Sequence, residues 1–280
     1  MRIAVLGSAG AMGSFFVRYF ASQGHDVVGS DPQKGGNSGK TIAAQNAQAI
    51  RNADFVLVAT PIQTTVTVCK QVLPNLRKGA VLVEISSVKS EGLVQVNKGA
   101  ERKGLSFLSI HPLFGPALIS SKGMKIAVVR RGRDSSMALA RKLFPGARLF
   151  PMSAETHNKL MGAMLSLTHI TNMAYAKVVA SVTRPNEFRK MATPTSFLQL
   201  TLAESVLSQD PSLYSYVQTG NKFSAKLIRS MAGELLAMSE LIESGDARKF
   251  EKYFVELARL YPSNGPSVKK VYDAFYAISN

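Results

Sequence analysis

Arg2-Ile-Ala-Val-Leu6-Gly7-Ser8-Ala9-Gly10-Ala11-Met12-Gly13 is the stretch of this chain that decides the fold. A short apolar run, typical of a buried strand, leads into a turn with a glycine at every third residue. Helical spacing follows over residues 14–22, and a second strand over 25–31 ends at Asp31. A strand, a glycine turn, a helix, a strand and an acidic residue in this order indicate a dinucleotide-binding unit.

The glycine turn and Asp31 predict which cofactor binds. Glycines let the backbone approach a pyrophosphate, and the free amides at the helix start stabilise its charge. Asp31 follows Gly13 by 18 residues, a position where a carboxylate accepts hydrogen bonds from ribose hydroxyls and repels a 2′-phosphate. We therefore expect NAD rather than NADP. The predicted cofactor-binding residues are Gly7, Ser8, Ala9, Gly10, Ala11, Met12, Gly13, Asp31, Thr60 and Pro61.

The turn departs from the usual G-x-G-x-x-G pattern, because Ser8 stands where the first glycine would fall. A glycine-rich turn can also be purely structural. Its position between a strand and a helix, with an acidic residue at the expected distance, favours nucleotide binding.

Alternation of strands and helices continues after Asp31 and predicts a doubly wound, mostly parallel sheet of the Rossmann type. Further strands are predicted over 53–59, 80–85, 105–110, 125–129 and 147–150. After about Met152 the pattern changes to long helical stretches over 153–181, 186–207, 211–243 and 246–260. We predict a Rossmann domain over 1–152, followed by an all-helical domain over 153–280.

Four segments fall at the carboxyl ends of predicted strands: the glycine turn, Thr60-Pro61, 86–89 and His111. In an open α/β sheet, ligands bind in the crevice at this edge. His111 begins the segment His111-Pro-Leu-Phe-Gly-Pro116, in which the proline biases the histidine towards extended geometry. The pattern is compatible with a catalytic imidazole or with a structural histidine that bonds a nearby carbonyl.

The remaining histidines of interest, His157 and His169, lie twelve residues apart in a predicted helix. A regular α-helix would place them about 120° apart, so they do not form a natural metal pair. His157 is interpreted as a structural residue near a helix start, and His169 as either a core histidine or a functional one. With Cys69 as the single cysteine, the sequence predicts no disulfide and no metal site.

Composition limits the partners that we expect. Lys and Arg number 34 against 18 Asp and Glu, which gives a formal net charge of +16. The basic residues are scattered in ones and twos, which favours steering of a small anion over binding of nucleic acid. The sequence opens without a secretory signal, so a cytoplasmic location is expected. The uncharged stretch 160–176 is short and polar for a membrane span and predicts an interface helix instead.

Several motifs together resemble the prephenate dehydrogenase and arogenate dehydrogenase family of tyrosine biosynthesis. They are Ser87-Val-Lys89, the His111 segment, His157 with Leu167-Thr-His169, and Asp210-Pro-Ser-Leu-Tyr214 followed by Asn221. The resemblance covers nearly the whole chain and is greatest to the branch whose members are fused to chorismate mutase.

The resemblance implies an NAD-dependent oxidative decarboxylation of an anionic, prephenate-like substrate by a homodimer joined through the helical domain. It implies that His111 accepts the substrate hydroxyl proton and that Ser87 bonds the same hydroxyl or orients the imidazole. Lys89 would lie near substrate or cofactor, and His169 would recognise the substrate side chain. Whether prephenate or arogenate is preferred stays open.

The chain departs from the family pattern on the substrate side. Two arginines of the resembling branch correspond here to Phe197 and Ser205, and an acidic residue corresponds to Ala117. Loss of a bidentate cation is not a conservative change. Arg184, Arg189 and Arg229 are the candidate replacements. Two other interpretations therefore stay open: a related NAD(P)-dependent reductase of another substrate, and a nucleotide-binding regulatory protein without catalysis.

Overall fold

The computed structural model describes residues 1–32, 42–118, 123–130, 135–261 and 267–279. The chain forms two compact units, Met1–Met161 and Gly162–Asn280. The domain boundary predicted at 152/153 lies nine residues before the point where the chain passes from one unit to the other, and it stays a prediction.

The N-terminal unit alternates strands with helices. Its strands are β1 (Arg2–Leu6), β2 (Asp26–Ser30), β3 (Phe55–Val58), β4 (Val81–Glu84), β5 (Ser106–Pro112), β6 (Lys125–Val129) and β7 (Arg148–Met152). Its helices are α1 (Ala11–Ser22), α2 (Ile42–Ile50), α3 (Ile62–Val72), α4 (Glu91–Arg102), α5 (Ser136–Leu143) and α6 (Ala154–Met161).

Within the described residues the strands form one sheet in the order β2-β1-β3-β4-β5-β6-β7. The first five strands run parallel, whereas β6 is antiparallel to β5 and parallel to β7. The prediction of a doubly wound, mostly parallel sheet is confirmed. Strand order reverses between β1 and β3, and ligands of such sheets bind at this switch point.

Both faces of the sheet are covered, which explains why β3 and β4 consist of apolar residues with few interruptions. On one face, α1 contributes Phe16 and Phe20, which pack against Phe144 at the end of α5. On the other face, Cys69 of α3 and Val96 of α4 are fully buried with the inward-facing side chains of the strands.

The C-terminal unit is helical, as predicted. A π-helical turn, Gly162–Leu167, precedes the helices α7 (Thr168–Val182), α8 (Pro185–Met191), α9 (Pro194–Leu207), α10 (Pro211–Gly220), α11 (Ser224–Glu243), α12 (Ala247–Arg259) and α13 (Ser267–Ser279). Because a π turn holds more residues than an α turn, the 120° offset expected between His157 and His169 does not apply.

Two helical stretches of the sequence are each divided in the structure. The stretch 186–207 breaks before Pro194, which begins α9 with Thr193 as its N-cap. A proline is compatible with a first helical turn but not with a helix interior. The stretch 211–243 breaks at the buried Asn221, whose side-chain oxygen accepts a bond from the Phe223 amide at 3.1 Å.

Candidate active site

The glycine turn joins β1 to α1 by a very close backbone approach. Gly7 has a φ of +83°, and a Cβ there would lie 2.6 Å from the carbonyl oxygen of Ala59. At Gly13 a Cβ would lie 1.9 Å from the carbonyl oxygen of Gly7. Any side chain would therefore collide with the backbone at both positions. The turn is held to β2 by a bond from the Gly7 amide to the Ser30 carbonyl at 2.8 Å.

Ser8, which replaces the first glycine of the usual pattern, is accommodated by another glycine. Its side chain is buried, and a Cβ at Gly29 of β2 would lie 2.7 Å from its hydroxyl oxygen. Gly29 therefore leaves the space that the Ser8 side chain fills. The departure from the pattern does not disturb the turn.

Asp31 follows β2 and lies beside the glycine turn. Its carboxylate accepts a hydrogen bond from the Ala9 amide at 2.9 Å, and the residue is buried. This contact fixes the acidic group against the turn at which a dinucleotide would bind. The arrangement agrees with a carboxylate that accepts hydrogen bonds from ribose hydroxyls.

A cleft of about 420 Å³ lies at the switch point between β1 and β3. Its walls include five of the predicted cofactor-binding residues, namely Gly7, Gly10, Asp31, Thr60 and Pro61. The first turn of α1, which follows Gly10, contains no acidic residue. Pro61 is the N-cap residue of α3. The tight glycine turn, the buried acid and the cleft together fit a dinucleotide.

A buried ion pair lies at the carboxyl ends of β4 and β5. The Lys89 ammonium donates to a carboxylate oxygen of Glu84 at 2.6 Å and to the Ile110 carbonyl at 2.7 Å. Glu84 also accepts hydrogen bonds from the hydroxyls of Ser86 and Ser109. The Lys89 side chain is only 2% exposed. Its ammonium is therefore engaged with protein groups.

His111 lies within the last two residues of β5 and is 7% exposed. Its Nδ1 is 3.1 Å from Nε2 of His157, which is fully buried in α6. Nδ1 of His157 is in turn 3.1 Å from Oδ1 of Asn158. The two imidazole rings meet edge to face, with centroids 5.2 Å apart. The predicted crevice histidine is thus part of a buried chain of polar groups.

Both imidazoles are held in the neutral form. Burial lowers the pKa of His111 well below its usual range, and the charge of Lys89 acts in the same direction. Burial also lowers the pKa of His157 to about 4, again with a contribution from Lys89. Burial lowers the pKa of Lys89 as well, while the Glu84 carboxylate opposes this shift. At neutral pH, His111 is a neutral base.

The sequence did not single out Glu84, His157 or Asn158 as members of this group. His157 was interpreted as a structural residue near a helix start, but the structure places its ring against His111. Glu84 could have indicated a buried polar cluster, because a carboxylate inside an apolar strand needs a buried partner. Ser87, which the family resemblance places beside His111 at the substrate hydroxyl, is half-buried and follows β4 by three residues.

In the C-terminal unit, His169 lies in α7 and is half-buried. Its Nδ1 is 3.2 Å from Nε2 of Gln218, and its ring lies 4.2 Å from that of Tyr214. Burial lowers the pKa of His169. Two motifs that carried the family resemblance, one at His169 and one at Tyr214, are therefore brought together within this unit.

Of the arginine candidates, Arg189 is already engaged. It pairs with Glu204, and its guanidinium lies over the ring of Phe197 at 5.1 Å from the centroid. Phe197, at one of the positions where the family pattern has arginine, also contacts the ring of Phe275. Arg184 and Arg229 are exposed.

Across the part of the chain that the structure describes, no three His, Cys, Asp or Glu side chains lie together as metal ligands would. Among the helices of the described ranges, none has both the length and the apolar character that a membrane crossing requires.

A glycine turn at the switch point of a doubly wound sheet, with a neutral buried histidine at the same edge, is the arrangement of a nucleotide-dependent dehydrogenase. Two family models match the chain, "Prephenate dehydrogenase, nucleotide-binding domain" over residues 17–131 and "Prephenate dehydrogenase, dimerization domain" over 153–256. The chain belongs to the prephenate and arogenate dehydrogenase family, and the resemblance found in its motifs is confirmed.

Individual proteins agree with this assignment. The chain is 26% identical over 278 residues to a probable arogenate/prephenate dehydrogenase of Methanocaldococcus jannaschii, covering 94% of this chain and 61% of that protein. It is 24% identical to a 4-amino-4-deoxyprephenate dehydrogenase of Streptomyces pristinaespiralis, covering 96% of this chain and 94% of that one. The chain thus spans about three fifths of the length of the Methanocaldococcus relative.

A solved structure shares the fold. The prephenate dehydrogenase of Aquifex aeolicus, in complex with hydroxyphenyl propionate and NAD+, superposes with a TM-score of 0.74 at 19% identity. The alignment covers 94% of this chain and 98% of the Aquifex chain. The Rossmann-type unit followed by a helical unit is therefore the fold of this chain.

Proposed function

We propose that the protein catalyses the NAD-dependent oxidative decarboxylation of prephenate to 4-hydroxyphenylpyruvate. The observation that carries this proposal is the neutral, buried His111 at the edge of the sheet that also bears the nucleotide cleft. Membership of the family supports the reaction type.

NAD is the proposed cofactor. When bound, its nicotinamide supplies the hydride acceptor of the reaction. Gly7, Gly10 and Gly13 would let the pyrophosphate approach the backbone, with Ser8, Ala9, Ala11 and Met12 completing the turn. Asp31 would accept hydrogen bonds from the ribose hydroxyls and would repel a 2′-phosphate. The NAD+ present in the Aquifex structure supports this choice.

His111 acts as the proton acceptor in the proposed mechanism. Hydride leaves the ring carbon that bears the hydroxyl, and His111 takes the hydroxyl proton as the carbon–oxygen double bond forms. Loss of carbon dioxide then makes the ring aromatic, and the ring oxygen recovers the proton from His111. The reaction consumes no net proton, so one neutral histidine is sufficient. Its lowered pKa ensures that the base form is present at neutral pH.

Lys89 and Ser87 have different proposed roles. Lys89 was expected near substrate or cofactor, and its ammonium donates to Glu84 and to the Ile110 carbonyl, which favours an indirect role. We propose that its charge adds to the effect of burial in keeping His111 neutral. Ser87 is only half-buried at the carboxyl end of β4, which supports a hydrogen bond from its hydroxyl to the substrate hydroxyl.

His169 is the proposed group for recognition of the substrate side chain. It is half-buried, and its ring is held by Tyr214 and Gln218. A held imidazole can donate one hydrogen bond to a carboxylate or a carbonyl. With Arg189 paired to Glu204, Arg184 and Arg229 are the arginines to be tested for a carboxylate contact.

A homodimer joined through the C-terminal unit is the proposed assembly. Large apolar side chains are exposed on this unit, including Met164, Leu236, Phe254 and Leu260. Exposed apolar side chains that form a contiguous patch mark an interaction site. The family model over 153–256 describes a dimerization domain, which supports a second copy as the partner. Sedimentation of the purified chain tests this assembly, and a monomer at micromolar concentration contradicts it.

Arogenate is the second candidate substrate, because the Methanocaldococcus relative carries both substrates in its name. The two compounds differ only in the side chain, which is an amino acid in arogenate and a keto acid in prephenate. The ring chemistry assigned to His111 is the same for both.

Reduction of NAD by the purified protein with prephenate, and separately with arogenate, tests the proposal. We expect turnover with prephenate and a lower kcat/KM with arogenate, and NAD preferred to NADP. Turnover of arogenate alone would select the second candidate. Turnover of neither substrate by a folded protein that binds NAD would contradict both.

A further inference from the structure

The side-chain amide of Asn158 is clamped by the backbone of Lys89. The Lys89 amide donates to Asn158 Oδ1 at 3.0 Å, and Asn158 Nδ2 donates to the Lys89 carbonyl at 2.9 Å. An inverted amide would set its NH2 group against an N–H donor and its oxygen against a carbonyl. The backbone of residue 89 therefore allows only one orientation of this amide.

The fixed amide determines which nitrogen of His157 carries the proton. Asn158 Oδ1 is 3.1 Å from His157 Nδ1. An amide oxygen only accepts hydrogen bonds, so Nδ1 of His157 must be the donor. His157 is neutral at pH 7, since its pKa is lowered to about 4 by burial. A neutral imidazole has one proton, and Nε2 of His157 is left with a lone pair.

The same reasoning extends to His111. Nε2 of His157 is 3.1 Å from Nδ1 of His111, and an acceptor at that distance requires a donor opposite it. The proton of neutral His111 is therefore on Nδ1. We propose that the Lys89 backbone, through Asn158 and His157, holds His111 in the Nδ1-protonated tautomer, so that Nε2 is the nitrogen that accepts a proton.

Asn158 and His157 are thus positioning residues for His111. The direction of each hydrogen bond follows from burial and geometry and does not depend on the reaction. Only the use of the Nε2 lone pair as the base rests on the proposed function. Positioning of this kind is needed because a solitary neutral imidazole exchanges between its two tautomers, and only one has the lone pair facing the substrate.

Long-range 1H–15N NMR correlation of 15N-histidine-labelled protein tests the proposal directly, because each imidazole nitrogen reports whether it is protonated. The chain has four histidines, which makes assignment by single substitution practical. For the unaltered protein at pH 7, we expect a protonated Nδ1 and an unprotonated Nε2 at both His111 and His157. A protonated Nε2 at His111 overturns the proposal.

Asn158→Leu is the second test, because leucine has a similar size and lacks the acceptor. We expect a mixed or inverted tautomer at His157 and His111, with the signals of His25 unchanged as an internal control for folding. If NAD-dependent turnover is found, kcat should fall about tenfold or more while KM changes little. The fall should not exceed the 10²–10⁴-fold that a general base contributes.

Retention of the single Nδ1-protonated tautomer at both histidines of Asn158→Leu would overturn the role of Asn158. If that variant does not fold, the spectrum of the unaltered protein still decides the proposal. The two hypotheses also fail separately. The expected tautomers without any turnover contradict the proposed dehydrogenase activity only, whereas turnover with the opposite tautomer contradicts the proton chain only.

Discussion

Gly13 is the position of the glycine turn that is least able to accept a side chain. We predict that Gly13→Ala destabilises the N-terminal unit by about 1–3 kcal/mol, the usual cost of overpacking, because its Cβ would lie 1.9 Å from the Gly7 carbonyl oxygen. NAD binding, measured by calorimetry, should be lost.

Gly233→Ala is the matched control for this substitution. Gly233 lies in α11, and nothing lies within 4 Å of the position of its Cβ. Alanine there should raise the free energy of unfolding by about 0.5–1 kcal/mol and leave NAD binding unaltered. Unchanged nucleotide affinity in Gly13→Ala would contradict the geometry of the turn.

His111→Asn tests the proposed proton acceptor. Asparagine keeps a polar side chain but removes the titratable nitrogen, so kcat with prephenate should fall by about 10²–10⁴-fold. NAD affinity should be nearly unchanged, because the nucleotide cleft is lined by other residues. His25→Asn, a change at a histidine outside the site, is the control. Equal rates for both variants would exclude His111 as the base.

Some side chains of the candidate site could be predicted from sequence and others could not. His111, Gly7 and Asp31 carry local signals, because each stands at a strand end beside a proline, a turn or a helix start. The partners His157 and Asn158 are 46 residues or more further along the chain and have no such signal. Their role depends on the packing of α6, which a local pattern does not encode.

Strands were easier to predict than their directions. The apolar runs of β1 and β6 match the predicted ranges, because parallel and buried strands share this composition. Nothing local indicates that β6 pairs antiparallel with β5, since that depends on the path of the chain between them. In the helical half, Pro194 was an available signal for a helix boundary that the spacing alone did not reveal.

Glu84, at the end of β4, and Lys89, five residues later, form a buried ion pair that is bonded to β5. The Lys89 ammonium donates to the Ile110 carbonyl, and the Ser109 hydroxyl donates to Glu84. Lys89→Met removes one partner and leaves Glu84 buried with its charge unbalanced, which should cost about 3–5 kcal/mol. The double variant Glu84→Gln/Lys89→Met should cost clearly less than the sum of the two single variants. Urea unfolding at neutral pH measures each value, and simple additivity would contradict coupling between Glu84 and Lys89.

Stability of the whole chain should fall in mild acid. His111 and His157 have a pKa of about 6.5 when unfolded and lower values when folded, so the unfolded chain binds more protons. Their contribution to the free energy of unfolding is fully present above pH 6.5 and is lost as the pH falls towards 4 and below. His157 alone accounts for on the order of 3 kcal/mol.

Urea unfolding between pH 4 and 7 measures this dependence. His25 and His169 also have lowered pKa values and act with the same sign, so His157→Gln is the informative comparison. This variant should show a clearly smaller loss of stability over the same interval. Identical slopes for the two proteins would mean that His157 is not buried in its neutral form.

Cys69, the single cysteine of the chain, is fully enclosed between α3 and the sheet. Burial raises the pKa of its thiol, and the Glu84 carboxylate acts in the same direction. Alkylation should therefore proceed only when the N-terminal unit opens, so the labelling rate reports how often this unit opens.

Any compound that binds only the closed unit lowers the labelling rate of Cys69 by a factor of 1 + [L]/Kd. Mass spectrometry of iodoacetamide-treated protein should show slower labelling as NAD is added. Labelling as fast as in urea would contradict the burial. Nucleotide affinity thus becomes measurable on the unaltered chain without a substrate, a product or a turnover.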